Sequence, residues 1–185
     1  AAAFARFCAW NAQPCPVLLR ARGGRADAPP LARDSDLRTD LPAYRVYRHG
    51  QLVEERTDVA DIWQDDFVSF YLGCSFSFES ALMRAGISIR NVDEAKNVSM
   101  YRTTVPCASS GPFHTNMVVS MRPIKPNQVD EAVRITGGFP MAHGAPVHHG
   151  DPAAIGIARL DTPDFGDAVD VQAGEGPAFW ACGVR

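Results

Sequence analysis

The chain has 185 residues, 46% of them apolar and 21% charged, the balance of a globular protein able to bury a sizeable core. A net charge of −3, with Lys and Arg scattered instead of gathered into a basic stripe, argues against nucleic acid as a partner. No apolar run approaches the roughly 20 residues that span a bilayer, the opening lacks a signal peptide's basic head and cleavage site, and five cysteines without a CxxC pair fit neither a disulfide framework nor a zinc knuckle; a cytoplasmic protein, with no membrane partner and with reduced, partly buried thiols, is expected.

Residues 1–11 put Phe4, Phe7 and Cys8 on one helical face, yet no capping residue precedes them, so the start reads as a truncation. The stretch 20–36, rich in Arg, Gly, Ala, Pro and Asp and without periodicity, is expected to be a mobile loop. From Tyr44 to Glu54 two short arms flank His49-Gly50, where glycine supplies the positive φ of a tight hairpin turn. Asp58 is placed to cap a helix whose inward stripe is Val59, Ile62, Trp63, Phe67, Phe70 and Tyr71. Gly73-Cys74-Ser75-Phe76 then breaks that helix. Ser77 is expected to cap the next one, with Glu79 in its first turn and Gly86 at its end.

Short strands and turns are expected over 87–105 and a buried strand over 117–121. A helix follows from Pro126 to Thr136, closed by Gly137-Gly138, with a strand near Val147 completing a β-α-β unit. Ala168–Val171 and Pro177–Ala181 read as strands around Gly174-Glu175-Gly176. These elements predict an α+β protein of two small subdomains, each a mixed sheet with packed helices. The expected division is 1–105 (with 20–36 as mobile loop) and 106–185, the boundary falling near 105–113 and the two sequences free to interleave.

Three constellations could carry chemistry. The segment 143–152 gathers His143, His148, His149 and Asp151 in a Gly/Pro-punctuated loop, a setting for bases and proton donors. It reads equally as a structural loop whose imidazoles satisfy backbone carbonyls. Its spacing matches no metal-binding pattern, so no metal is assigned; a divalent cation is admitted but unsupported. Gly73 to Glu79 places Cys74, Ser75, Ser77 and free backbone N–H groups at a helix start, where a carboxylate binds readily, and Cys74 there could carry a lowered pKa. The bland alternative is a capping serine, packed phenylalanines and a buried thiol. Arg38, Arg102 with Thr103, and Arg122 offer guanidiniums able to clamp a carboxylate in two-pronged fashion. No glycine-rich phosphate loop is present, so no cofactor is indicated; the expected partner is a small carboxylate-bearing substrate, and a homo-oligomer is compatible.

Eight blocks in order, FCAWNAQPCPVL (7–18), DLRTDLPAYRVYRHGQLVEE (36–55), GCSFSFESALMRAGI (73–87), NVSMYRTTVPC (97–107), VVSMRPI (118–124), HGAPVHHGDPAAIGI (143–157), PDFGDAV (163–169) and FWACGV (179–184), resemble the bacterial hydro-lyases related to the D-glutamate cyclase family, formerly a domain of unknown function. The similarity runs over nearly the whole chain. The resemblance implies elimination of water, and a reaction that turns D-glutamate into 5-oxo-D-proline. It also implies a further N-terminal segment and a C-terminal continuation carrying a Thr-His-Ala-Pro-Gly stretch.

On such a substrate His148 or His143 would take the amine proton, with Asp151 and Cys74 in the same catalytic set. Arg102, Arg38 and the backbone from Cys74 to Ser77 would hold the α-carboxylate and the developing oxyanion. The same residues would also suit an ordinary dehydratase of a hydroxy acid, or a binding module that captures an acidic metabolite without turnover.

Overall fold

The computed structural model describes residues 1–183, so Val184, the last residue of the FWACGV block, lies outside the described residues. Helices and small antiparallel sheets give the α+β fold that the sequence predicts. The chain forms two compact units, Ala1–Val17 with Leu72–Arg185, and Leu18–Tyr71. That division runs elsewhere than the expected 105/106 boundary: strands β5 (Ser99–Pro106) and β6 (Asn116–Ile124) flank this point and are neighbours in one sheet.

The larger unit opens with helix α1 (Ala2–Trp10), whose Phe7 and Cys8 are buried. Its centre is an antiparallel sheet in the order β5-β6-β8-β7, with β7 at His148–His149 and β8 at Gly176–Cys182. Since β6 and β7 each run antiparallel to β8, they run parallel to one another on either side of it. The expected β-α-β unit is therefore split: helix α4 (Val129–Gly137) joins two parallel strands that are not neighbours. Every bonded pair in this sheet is antiparallel, where a mixed sheet was expected.

Strand alternation gives the sheet two apolar faces. On one, Ile124, Ala178 and Trp180 pack against Phe78 and Leu82 of helix α2 (Phe76–Arg84) and Ala132 of α4. On the other, Tyr101, Val119, Met121 and Phe179 pack against Ile155, Ile157 and Val169. Trp180 Nε1 donates to Thr136 Oγ1 at 3.1 Å, and Thr136 donates back to the Ala132 carbonyl at 2.8 Å, so the buried indole leaves no orphan donor. Residues 87–98 hold one short helix, α3 (Arg90–Asp93). The expected strand over Ala168–Val171 is absent. That segment has no regular structure and is tied at its start by side-chain bonds: Ser99 Oγ donates to the Asp167 carbonyl and Lys96 Nζ to the Ala168 carbonyl.

In the unit Leu18–Tyr71 the hairpin is as expected: β2 (Tyr44–Arg48) and β3 (Gln51–Arg56) are joined by His49-Gly50 with φ of 52° and 81°, both positive as such a turn requires. Strand β1 (Val17–Ala21) pairs with β4 (Ser69–Leu72). The helix expected from Asp58 to Tyr71 is not formed. Only one 3-10 turn exists at Ala60–Ile62, and Phe67-Val68-Ser69-Phe70-Tyr71 runs extended into β4. The three-and-four spacing was shared with an aromatic, β-prone run that finds a strand partner. Trp63 is also drawn off any helical stripe by donating Nε1 to the Gly24 carbonyl at 2.6 Å.

Ser77 does not cap α2: the N-cap residue is Ser75, and the element before it is a strand rather than a helix. What fixes the entry to α2 is Gly73, whose N–H donates to the Pro16 carbonyl at 2.9 Å. A Cβ at Gly73 would stand 1.6 Å from the Met141 carbonyl oxygen, an overlap with backbone that no rotamer relieves. Gly73→Ala is expected to destabilise the protein by about 3 kcal/mol or more, measured as a fall in the urea midpoint relative to Gly86→Ala, where the added Cβ meets open space and only the positive φ is strained.

Candidate active site

The most enclosed charge among the described residues is Arg122, with 0% of its surface exposed. Alternation along β6 directs it to the α2 face, with Ser120 and Ile124. On α2, Ser75, Glu79 and Leu82 recur at spacings of four and three, so a carboxylate stands on the buried stripe opposite the guanidinium. Glu79 Oε1 accepts from Arg122 Nε at 3.0 Å and from Nη2 at 2.5 Å. Arg122 also donates from Nη1 to Ser120 Oγ and from Nη2 to Ser75 Oγ, each at 3.1 Å. Phe78 and Trp180 cover the guanidinium carbon at 5.2 and 5.5 Å from their ring centroids. Burial pulls the Arg122 pKa down and Glu79 pulls it back up; a guanidinium remains charged in either case.

Above this pair the start of α2 reaches solvent, with Cys74, Phe76 and Ser77 exposed and Ser75 buried. The Gly73–Met141 contact brings the turn Pro140–Ala142 against this rim, and His143 follows directly in the left-handed conformation at φ 74°. The His143 ring is buried, its Nδ1 lying 2.8 Å from the Gln13 carbonyl. A nitrogen that faces a carbonyl carries the proton, which puts the basic lone pair of the neutral ring on Nε2. Arg102 lies on the same sheet face as Arg122, pairing with Val118 two residues along β6 from Ser120. Its guanidinium is largely exposed, 3.8 Å from Asp164 Oδ1 and stacked over Phe165.

The other predicted residues lie elsewhere. His148 pairs with Phe179 and stacks on its ring at 5.9 Å, on the face opposite Arg122, with Nε2 held at 2.7 Å by the Asp151 carbonyl. Asp151 spends its side chain on the Ala153 N–H at 3.0 Å, capping the turn Pro152–Ile155. Thr103 is buried, donating to the Met117 carbonyl at 2.7 Å and accepting from the Val105 N–H at 3.1 Å where the β5 register shifts. Arg38 lies in the unit Leu18–Tyr71 with its guanidinium forked onto Asp36. The sheet thus separates His143 from His148, two histidines that the sequence places in one loop. Glu79, Ser120 and Gln13 were not singled out as site residues by sequence reasoning. Glu79 carried a signal, a carboxylate on the apolar stripe of α2, and Gln13, acting through its main chain, carried none. No cluster of three His, Cys, Asp or Glu side chains suited to a metal exists among the described residues, nor a helix long and apolar enough to cross a membrane.

The sequence profile of the D-glutamate cyclase family matches residues 68–185, well over half of the chain. The chain is 58% identical to a protein of Verminephrobacter eiseniae over 98% of its own length and 66% of that relative. It is 54% identical to one of Jannaschia sp. over 98% of its own length and 68% of the relative, and 52% identical to YcsI of Bacillus subtilis over 98% and 70%. All three carry the name "Putative hydro-lyase". The chain spans about two thirds of the length of the curated relatives it matches.

The buried pair makes a signed prediction. Glu79→Leu, which strands a guanidinium in the core, is expected to cost about 3–5 kcal/mol, while Glu79→Leu with Arg122→Met is expected to recover most of that loss in urea denaturation. The exposed pair makes another. The hydrogen-bonded Arg38 guanidinium holds the Asp36 carboxyl down at about 2, below the ordinary carboxylate value of 3.8, so the stabilisation it gives is complete above 3.8 and is lost as pH falls towards 2. A carboxyl-resolved NMR titration should find Asp36 near the lower value, and Arg38→Gln should move it towards the upper one.

Proposed function

Because the chain belongs to the D-glutamate cyclase family, we propose that it removes water from a small acidic metabolite, and specifically that it closes D-glutamate to 5-oxo-D-proline. What carries the reading, besides the family, is the contact of the α2 rim with the turn leading into His143, enforced by Gly73 against the Met141 carbonyl. It puts helix-start donors, a buried charge pair and a tautomer-fixed imidazole on one side of the sheet.

In this reading the substrate's side-chain carboxyl lies at the start of α2, where the N–H groups of Ser75 and Phe76 and the rim formed by Cys74 and Ser77 receive negative charge; the N–H groups of Ser77 and Phe78, counted as free in the sequence, already donate to the Cys74 and Ser75 carbonyls at 3.1 and 3.2 Å. Arg102, only loosely held by Asp164, takes the α-carboxylate. His143 Nε2 accepts a proton from the substrate ammonium. The freed amine attacks the side-chain carboxyl carbon, the C–N bond forms, and a tetrahedral oxyanion develops against the helix start. The imidazolium returns its proton to the departing oxygen, and the C–O bond breaks to release water. Two protons leave the nitrogen in all and both end on that oxygen, so the imidazole is restored. Holding the chain folded with nitrogen near carbon supplies the entropy that the open-chain molecule in water lacks. His148 and Asp151, on the opposite face and engaged with the main chain, take no part in this scheme.

Mass spectrometry of the full-length protein with D-glutamate, L-glutamate and several hydroxy acids tests the proposal. D-glutamate is expected to lose one water, with His143→Gln slowed roughly 100-fold or more and His148→Gln within about threefold of wild type. Loss of water from a hydroxy acid alone would replace the cyclase reading with an ordinary dehydratase, and equal damage from the two histidine variants would overturn the assignment of the base.

A further inference from the structure

Ser75 stands at the N-cap of α2, where a serine ordinarily turns its oxygen onto an amide of the first helical turn. It makes no such bond here. Its Oγ accepts from Arg122 Nη2 at 3.1 Å. A hydroxyl oxygen that accepts from a guanidinium keeps its own proton to donate, beside a second lone pair. Among the described residues no acceptor takes that proton, although Ser75 is only 4% exposed. A cation bonded to the oxygen polarises the O–H outward and strengthens it as a donor.

The geometry that holds the Ser75 oxygen begins one helical turn further on. The same Nη2 that reaches Ser75 is clamped by Glu79 Oε1 at 2.5 Å, and Nε is clamped by that oxygen at 3.0 Å. Ser120 fixes the other arm of the fork at 3.1 Å. Serine, guanidinium and carboxylate thus form one chain, with every link but the last satisfied inside the fold.

We infer that Glu79 and Arg122 are positioning residues that hold Ser75 as a hydrogen-bond donor to a carboxyl oxygen of the substrate. The inference rests on the reading that the rim of α2 receives a carboxylate-bearing substrate, and deepens it by naming the group that meets the oxygen where charge develops. Ser75 touches the substrate; Glu79 and Arg122 act through it. The α2–sheet contact therefore sets the position of the donor oxygen as well as the packing.

A double-mutant cycle separates this from a purely structural role. In the full-length protein, at a temperature where every variant remains folded by near-ultraviolet circular dichroism, Ser75→Ala is expected to lower kcat/KM about 100-fold, about tenfold of it as a rise in KM that glutarate affinity should share. Ser75→Thr, which keeps the hydroxyl, should restore most of that. Glu79→Gln should lower kcat/KM about tenfold alone and add nothing in the Ser75→Ala background. If Glu79→Gln does not fold, Glu79→Asp, which draws the same charge back by one methylene, replaces it. Calorimetric titration with glutarate, which cannot cyclise, gives a second readout of the same cycle. Glutarate binding with a non-additive cycle but no turnover would sink the proposed reaction and leave Ser75 standing as the donor. Additive effects of the two substitutions, in whichever readout wild type shows, overturn the inference. A wild type that neither binds glutarate nor dehydrates D-glutamate overturns both.

Discussion

A guanidinium cannot discharge itself by losing a proton, so once Arg122 is sealed between β6 and α2 the surroundings must answer its charge and its fork of donors. Glu79 supplies the charge, Ser75 and Ser120 supply acceptors, and Phe78 and Trp180 supply electron-rich faces. A purely apolar contact between Leu82, Phe78 and the sheet would tolerate a shift of α2 by a fraction of a turn, because hydrophobic burial is non-directional. The ion pair does not tolerate it: displacing Glu79 by one residue turns the carboxylate off the inward stripe and leaves the charge bare. Such a pair returns little net stability against apolar residues of the same volume. Its contribution is the register in which α2 meets the sheet, and with it the place where the rim Cys74 to Ser77 opens to solvent.

The sheet also decides which of the polar residues can act together. Between His143 and His148 the chain crosses from the α2 face to the sheet edge, and strand alternation then turns His148 onto Phe179 while Arg122 faces the other way. Proximity in sequence joined these histidines, and the strand separates them. The reverse holds for Ser75 and Arg122, 47 positions apart and bonded. Arg102 reaches the same face as Arg122 because β5 and β6 pair in register from Ser99 to Arg102; at Thr103 the register breaks and the side chain is consumed in closing the gap.

Much of the fold was legible because local rules and tertiary context agree there. The positive φ at His49-Gly50 and the Pro126 start with the Gly137-Gly138 end of α4 are backbone demands that the residue types state directly. The segment after Asp58 was misread because its apolar spacing fits a helix while Phe67 to Tyr71 also fits a strand, and only the availability of β1 as a partner decides. Of the groups that now lie on the α2 face, the sequence singles out Arg122 and Arg102 as guanidiniums able to clamp a carboxylate and Ser75 as part of a helix start. That Arg122 would be wholly enclosed, and so act through Ser75 instead of touching a ligand, depends on Glu79 lying across from it, which no one-dimensional pattern reveals.

Gln13 shows why the first segment of the chain belongs with the last. Its carbonyl fixes the His143 tautomer and its Nε2 donates to the Ala145 carbonyl at 2.8 Å, bracketing the turn from both sides. Three residues later the Pro16 carbonyl receives the Gly73 N–H. The chain leaves this unit at Val17 and returns at Leu72, and the residues flanking the departure and the return are bonded to each other. An excursion whose ends already meet adds little closure entropy to what surrounds it, so Leu18–Tyr71 can form its own hairpin and strand pair without disturbing the register at Gly73. The main chain from Gln13 to Pro16 then performs for His143 and α2 what Glu79 performs for Arg122: it fixes the orientation of the ring through Nδ1 and the place at which the start of α2 meets the turn before it.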